Sequence, residues 1–280
     1  MTTKARAMTG ESRPLLIEDD NLSRAWAHVF LHVLDNPGTS IVPLVLSITG
    51  FTPEGMPQED QELRTALDVC LAADTPTKLS IEKVAWTIFP QSLWRLAQYD
   101  RHRLFDLYKT AFPRYQELYK IKNRRGLYFE RLISYGRGPH DGNQLEWIIT
   151  EYGARSGVRA SLLQASIFDP ERDHVRDAQL GFPCLQHISF VQQEGALTLN
   201  AFYATQQLYD KAYGNWLGLC RLGHFMAQEM GFTFSRLNCF TGIEKLERIQ
   251  KSAPSLRAVE AAARACVCPS PLLTGVERAR

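Results

Sequence analysis

The sequence is short of the features that mark several function classes. None of its apolar runs approaches the ~20 residues that a helix needs to cross a bilayer. The longest candidate, IVPLVLSI at 41–48, is the size of one strand. The opening MTTKARAMTGESRP has no apolar core and does not read as a secretory signal. No GxGxxG follows a strand pattern, and neither GxxxxGK[ST] nor HExxH occurs, so three common cofactor and metal motifs are missing. There are no repeats and no low-complexity tract. With 32 basic and 30 acidic residues the net charge is only +2, without the concentrated basic excess expected of a nucleic-acid or anionic-membrane binder. The one basic cluster, Lys120, Lys122, Arg124 and Arg125, reads as a solvated helix end. Six cysteines without a secretory signal read as reduced thiols rather than a disulfide framework. Cys266-Val267-Cys268 has no second pair or histidine at finger-like spacing, so no metal is expected. These absences lead to the expectation of a soluble, cytoplasmic protein.

A chain of 280 residues with 45% hydrophobic content can build one large core, or at most two domains. Helical spacing is clear over 21–35, where Asp20 or Asn21 can cap and Asn36-Pro37-Gly38 stops the helix. Residues 41–51 read as a buried strand, 61–72 as a short helix, 80–97 as a helix interrupted at Pro90, and 101–121 as an aromatic-rich helix. A mixed segment spans 125–136. A helix is expected over 143–156 and a strand over 158–170. LQHISFVQQ and ALTLNAFYATQ, joined at Glu194-Gly195, read as a hairpin. A helix follows at 212–230, then a strand at 232–242, a helical 243–253 and an Ala-rich helix at 255–267. The expected architecture is one α+β domain over 15–250, with a disordered segment at 1–14 and a C-terminal helix and tail at 251–280.

Pro183-Cys184 and the stretch that follows carry the chemistry. A thiolate is a soft nucleophile and a good leaving group, suited to reversible addition to an electron-poor ring. Pro183 stiffens the backbone that presents it. Downstream come a strand, the turn at Gly195, a second strand, the polar Ala204-Thr205-Gln206-Gln207 and then Asn215 near a helix start. An asparagine side chain is both donor and acceptor, which fits the N3–H/O4 edge of a uracil-type ring; it also fits a plain helix cap. The lone His187 and His224 read as ordinary core or edge residues.

In order and spacing this stretch resembles the thymidylate synthase superfamily, which includes pyrimidine hydroxymethylases. The resemblance spans residues 80–247 and is most specific over 143–231. It implies a large twisted sheet with flanking helices, and a homodimer formed by stacking those sheets. It further implies one-carbon transfer, as methyl or hydroxymethyl, from 5,10-methylenetetrahydrofolate to C5 of a small-molecule pyrimidine through a covalent adduct. By resemblance, Cys184 is the nucleophile and Asn215 holds the ring edge. Tyr128 in LYFER assists near the thiol. Glu82 manages water and protons, although Trp86 also matches that stretch and otherwise falls to the cofactor. Arg159, or else Arg155, reaches an anionic substituent across the dimer.

The departures are equally specific. The family's phosphate-binding Arg falls on Ala204 and its Asp on Gln207, leaving Thr205 and Gln207 as the polar groups of that strand. The sugar-contacting His and Tyr fall on Lys245 and Glu247. The N-terminal Arg loop has no counterpart in DNPGTSIVP, and LLTGVERAR does not resemble the closing segment. Each lost Arg removes a charge-assisted bond worth roughly 1.5–3 kcal/mol. The expected substrate is therefore a pyrimidine other than ordinary deoxyuridylate, with Arg159 and Lys245 as the remaining cations. A catalytically lapsed nucleotide-binding or regulatory dimer is the alternative.

Overall fold

The computed structural model describes residues 14–74, 78–118, 120–123, 125–155, 157–174, 176, 183–247 and 249–268. A seven-stranded mixed sheet forms its frame, in the order β1-β3-β7-β6-β5-β4 with β2 also paired to β7. The strands are β1 (Leu15–Asp19), β2 (Ser40–Ile41), β3 (Leu44–Ile48), β4 (Gln164–Ser166), β5 (Leu185–Gln193), β6 (Ala196–Gln207) and β7 (Thr233–Lys245). The principal helices are α1 (Leu22–Asp35), α2 (Gln61–Asp74), α3 (Ile81–Trp86), α4 (Gln91–Leu96), α5 (Arg101–Leu118), α6 (Tyr128–Ile133), α7 (Gln144–Ala154), α8 (Tyr213–Met230) and α9 (Leu256–Val267).

Two crossovers organise this order. A parallel neighbour cannot be reached by a tight turn, so a helix must intervene. β1–α1–β3 and β6–α8–β7 are both such units, and they meet where β3 runs antiparallel to β7. The expected hairpin joins β5 to β6, with Glu194 and Gly195 at φ 51° and 79°. α8 is the central core helix. Its Trp216, Leu217, Leu219, Cys220, Phe225 and Met226 are buried, as are Leu197, Leu199 and Tyr203 on the strand beneath. The opposite sheet face carries a polar ladder, Ser47–Asn238–Asn200–Ser189, beside a stacked Phe202–Phe240 pair.

The α+β architecture with one large sheet matches the sequence expectation, with several corrections. The described residues of 243–253 are not helical: β7 runs on to Lys245, paired along its length with β6. The expected strand over 158–170 shrinks to β4, since a 3₁₀ turn at Ala160–Leu162 precedes it and Asp169 caps a short turn at Pro170–Asp173. Residues 41–51 divide into β2 and β3 around Pro43, which has no N–H to give to a ladder. β1 was not anticipated. α9 packs on α1 and α2, burying Leu256, Val259 and Ala263 in the common core. The expectation for 1–14 lies outside the described residues except for Pro14, as does that for the tail from 269 onward.

Candidate functional site

The site begins where β5 starts. Pro183 is buried and Cys184 half-buried, and the Cys184 carbonyl accepts from the Ala204 amide at 3.2 Å, which ties the thiol-bearing residue to β6. Beyond β6 the chain makes a π-helical turn over Leu208–Ala212 that runs directly into α8. Wide turns of this kind displace side chains from ordinary helical register. Asn215 consequently lies inside the helix rather than at its cap, which falls on Ala212, and the capping reading of Asn215 is excluded. Gly214 and Gly218 let α8 press against α3. A Cβ on Gly214 would stand 2.6 Å from the Val84 Cβ, and one on Gly218 2.7 Å from the Ala85 carbonyl oxygen.

Cys184 and Asn215 line one cleft of about 260 Å³ together with Tyr128, Gln206, Gln207 and Lys211. That volume lies just below the usual range of about 300–1,000 Å³ for small-molecule sites, which suits a single ring with a modest substituent. Burial pushes the Cys184 thiol up. Glu247 adds to this effect, and the ammonium of Lys211 opposes it. The Tyr128 hydroxyl is pushed far up by burial and by the neighbouring Cys184, against the pull of the Leu185 and Cys184 amides. Near neutral pH both groups therefore hold their protons.

Through Leu79, Thr87, Asn123 and Leu127 the cleft shares its walls with a second chamber of about 460 Å³. Trp86 and Tyr115 meet there with ring centroids 4.3 Å apart. Glu82 also faces this chamber rather than the Cys184 cleft. Arg221 grips it by two hydrogen bonds of 2.7 and 2.8 Å, and Arg64 pairs with it as well. The bond from Arg221 chiefly holds its carboxyl down at about 2, so Glu82 is ionised and can only accept.

The remaining expected residues are scattered. Gln207 lines the cleft while donating to Glu247 at 3.2 Å. Thr205 is half-buried on β6 and is not part of the cleft wall. Lys245 pairs with Glu247 at 3.3 Å at the end of β7. Arg159 lies elsewhere, in a groove with Trp147, Glu151, Arg155 and Leu162, so within one chain it does not meet Cys184. Among the described residues no group of His, Cys, Asp and Glu could hold a metal ion, and no helix is long and apolar enough to cross a membrane.

Sequence reasoning missed Lys211, Gln206 and Arg131. Arg131 faces the cleft but is committed elsewhere: Asp173 takes it bidentately at 2.7 and 2.8 Å. Lys211 had a usable signal, standing as a lone cation between the polar run and Asn215.

No protein-family model matches the chain. Over 106 residues, 37% of its length, the chain is 26% identical to a protein of Methanocaldococcus jannaschii described as "Putative thymidylate synthase". The match spans 47% of that relative, about half of it. The chain is thus distantly similar to a protein of thymidylate synthase description over part of its length.

Proposed function

We propose that the protein is an enzyme transferring a one-carbon unit to C5 of a uracil-type pyrimidine, through an adduct between Cys184 and ring C6. The observation that carries this reading is that Cys184 and Asn215, 31 residues apart in sequence, line one ring-sized cleft. The partial likeness to a protein of thymidylate synthase description points the same way.

The chemistry asked of the side chains is specific. The Cys184 sulfur, once deprotonated, forms a bond to C6, and the ring π electrons move to C5 and O4. Asn215 donates to O4, where charge develops, and accepts from N3–H. Once C5 has bonded to the one-carbon unit and lost its proton, the C–N bond to the carrier would break, with the carrier leaving as an amine. A hydride from the reduced carrier (giving methyl) or water with loss of a proton (giving hydroxymethyl) would complete the unit, and departure of the thiolate restores the ring. Lys211 favours the thiolate at both ends of this cycle. Tyr128, held protonated beside the sulfur, keeps a proton at the reacting face.

The second chamber fits a reduced folate. Its aromatic walls suit a flat heterocycle, and it shares wall residues with the Cys184 cleft. Trp86 and Tyr115 would hold 5,10-methylenetetrahydrofolate there, which supplies the one-carbon unit when bound. Ionised Glu82 orders water at the chamber wall and does not donate a proton. Ala204 leaves β6 without a phosphate-binding cation, which supports a substrate other than ordinary deoxyuridylate. A homodimer stacked through the open sheet face, with its Phe202–Phe240 pair, would let Arg159 serve the neighbouring cleft.

A second reading, binding without turnover, draws on the raised Cys184 thiol and on Ala204. Intact-mass measurement after incubation with 5-fluoro-2′-deoxyuridine or its monophosphate, plus methylenetetrahydrofolate, separates the two. The enzyme reading expects a covalent mass increase that Cys184→Ala abolishes. Calorimetric binding with no mass increase supports the binding reading. Absence of both overturns each.

A further inference from the structure

The burial alternation of β6 and β7 steps by one residue at the same level, past Tyr203 on one strand and Thr241 on the other. Gly242 permits the close strand approach there, since a Cβ would lie 2.8 Å from the Ala204 carbonyl oxygen. The step turns inward two polar residues that strict alternation would have kept on the other face, Gln206 and its cross-strand partner Glu244. They are 1% and 0% exposed.

Gln206 lines the Cys184 cleft. Its Oε1 accepts from the Trp216 indole N–H at 3.2 Å, which fixes the orientation of the amide. The remaining end, Nε2, can only donate, and it is buried without a partner among the described residues. The two carboxyl oxygens of Glu244 are likewise buried without partners, and burial pushes that carboxyl far up, into its neutral form. Buried donors are nearly always satisfied. An oriented, unpaired donor in a cleft wall therefore points to a ligand that brings the acceptor.

Resting on the pyrimidine reading above, we propose that Gln206 is a second ring-reading residue, donating from Nε2 to a ring carbonyl oxygen of the substrate. Trp216 is the positioning residue: its indole N–H donates to Oε1 and so fixes which end of the amide is left to donate, while Glu244 stands opposite in register with no hydrogen bond to it. Asn215 and Gln206 then read two different polar groups of one ring, so the cleft selects a dicarbonyl pyrimidine over rings that lack one of these acceptors.

Calorimetric titration with uridine, 2-thiouridine and 4-thiouridine tests this, because sulfur accepts hydrogen bonds poorly. With O4 and N3–H held by Asn215, Gln206 is left O2, so the wild-type protein should bind uridine more tightly than 2-thiouridine by about fivefold to tenfold, the worth of one neutral hydrogen bond, while any loss with 4-thiouridine reports Asn215. Gln206→Met should weaken uridine binding by a similar factor and erase that discrimination, with its melting temperature lowered by about 2–6 °C because the buried Trp216 indole N–H loses its acceptor. If Gln206→Met does not fold, Trp216→Phe, which frees the amide to flip, should reduce the same discrimination. Unchanged discrimination in the folded variant, while the Cys184 adduct still forms, overturns this proposal and leaves the pyrimidine reading intact. Failure of wild type both to bind uridine and to form the adduct overturns both.

Discussion

Arg131→Met gives the sharpest test of how the cleft wall is held. All five guanidinium N–H donors are used. Nη1 donates to Asp173 and to the Ile167 carbonyl at 2.7 and 2.8 Å; Nη2 donates to Asp173 and to the Arg125 carbonyl, both at 2.8 Å; Nε reaches the same Arg125 carbonyl at 3.0 Å. The side chains of both charged partners are almost fully enclosed, at 2% and 0% exposure. Burial pushes the Asp173 carboxyl up, but Arg131 and the Asp169 amide more than offset this and leave it below its ordinary value. Methionine fills much of the space but strands a buried carboxylate with little beyond the Asp169 amide. Losing one partner of such a pair costs about 3–5 kcal/mol. In a chain of this size that lowers the melting temperature by about 6–10 °C, at about 2 °C per kcal/mol. Adding Asp173→Asn should return a large part of the loss, because the stranded charge disappears. Denaturant melts of the single and double variants provide the check. A single variant within about 1 kcal/mol of wild type, or a double variant no better than the single, would falsify the burial argument.

Other consequences are read more quickly. The Glu82 carboxyl sits at about 2, below its ordinary 4.5. Its stabilisation should be complete above pH 4.5 and vanish as pH falls through about 2. Glu82→Gln should therefore flatten the acid limb of a stability profile, and an unaltered limb would refute the network's part in it. Alkylation of Cys184 by iodoacetamide should keep accelerating above the ordinary thiol value of 9.0, with Lys211→Met moving the profile to still higher pH. A plateau already reached at neutral pH would contradict this. Gly214→Ala forces α8 off Val84 and should cost about 1–3 kcal/mol in a urea melt; neutrality would mean that the helices can part freely. Phe202→Asp should convert a sheet-stacked dimer to monomer in analytical ultracentrifugation, whereas a wild-type monomer would dispose of that assembly.

What was legible in the sequence followed from periodicity and turn chemistry. α1 lies within one residue of its expected bounds, because Asn21 caps it and Asn36-Pro37-Gly38 ends it. The β5–β6 hairpin followed from two alternating runs around Glu194-Gly195, and α8 from its apolar spacing. β1 escaped notice because its alternation, LLIED, covers only five residues. The tail of β7 was misread because IEKLE also fits a helical period, and only pairing with β6 decides the matter.

The site divides along the same line. Cys184, Tyr128, Gln207 and Asn215 are named by resemblance, and each does line the cleft. Glu82 and Arg159 are named the same way but stand elsewhere within the chain, since their positions depend on packing between elements. Glu82 is turned to the neighbouring chamber by two arginines, one of them on α8, and no local pattern announces them. Gln206 is the more instructive miss. Strict alternation assigns Gln206 and Gln207 to opposite faces, and counting from Tyr203 would place Gln206 on the open side. The coincident step in β6 and β7 reverses that assignment, and such a step arises only when two strands shift together. A residue whose facing depends on its neighbour strand is invisible to one-dimensional reading. It is also where a buried donor can be left waiting for a ligand without disturbing the rest of the sheet.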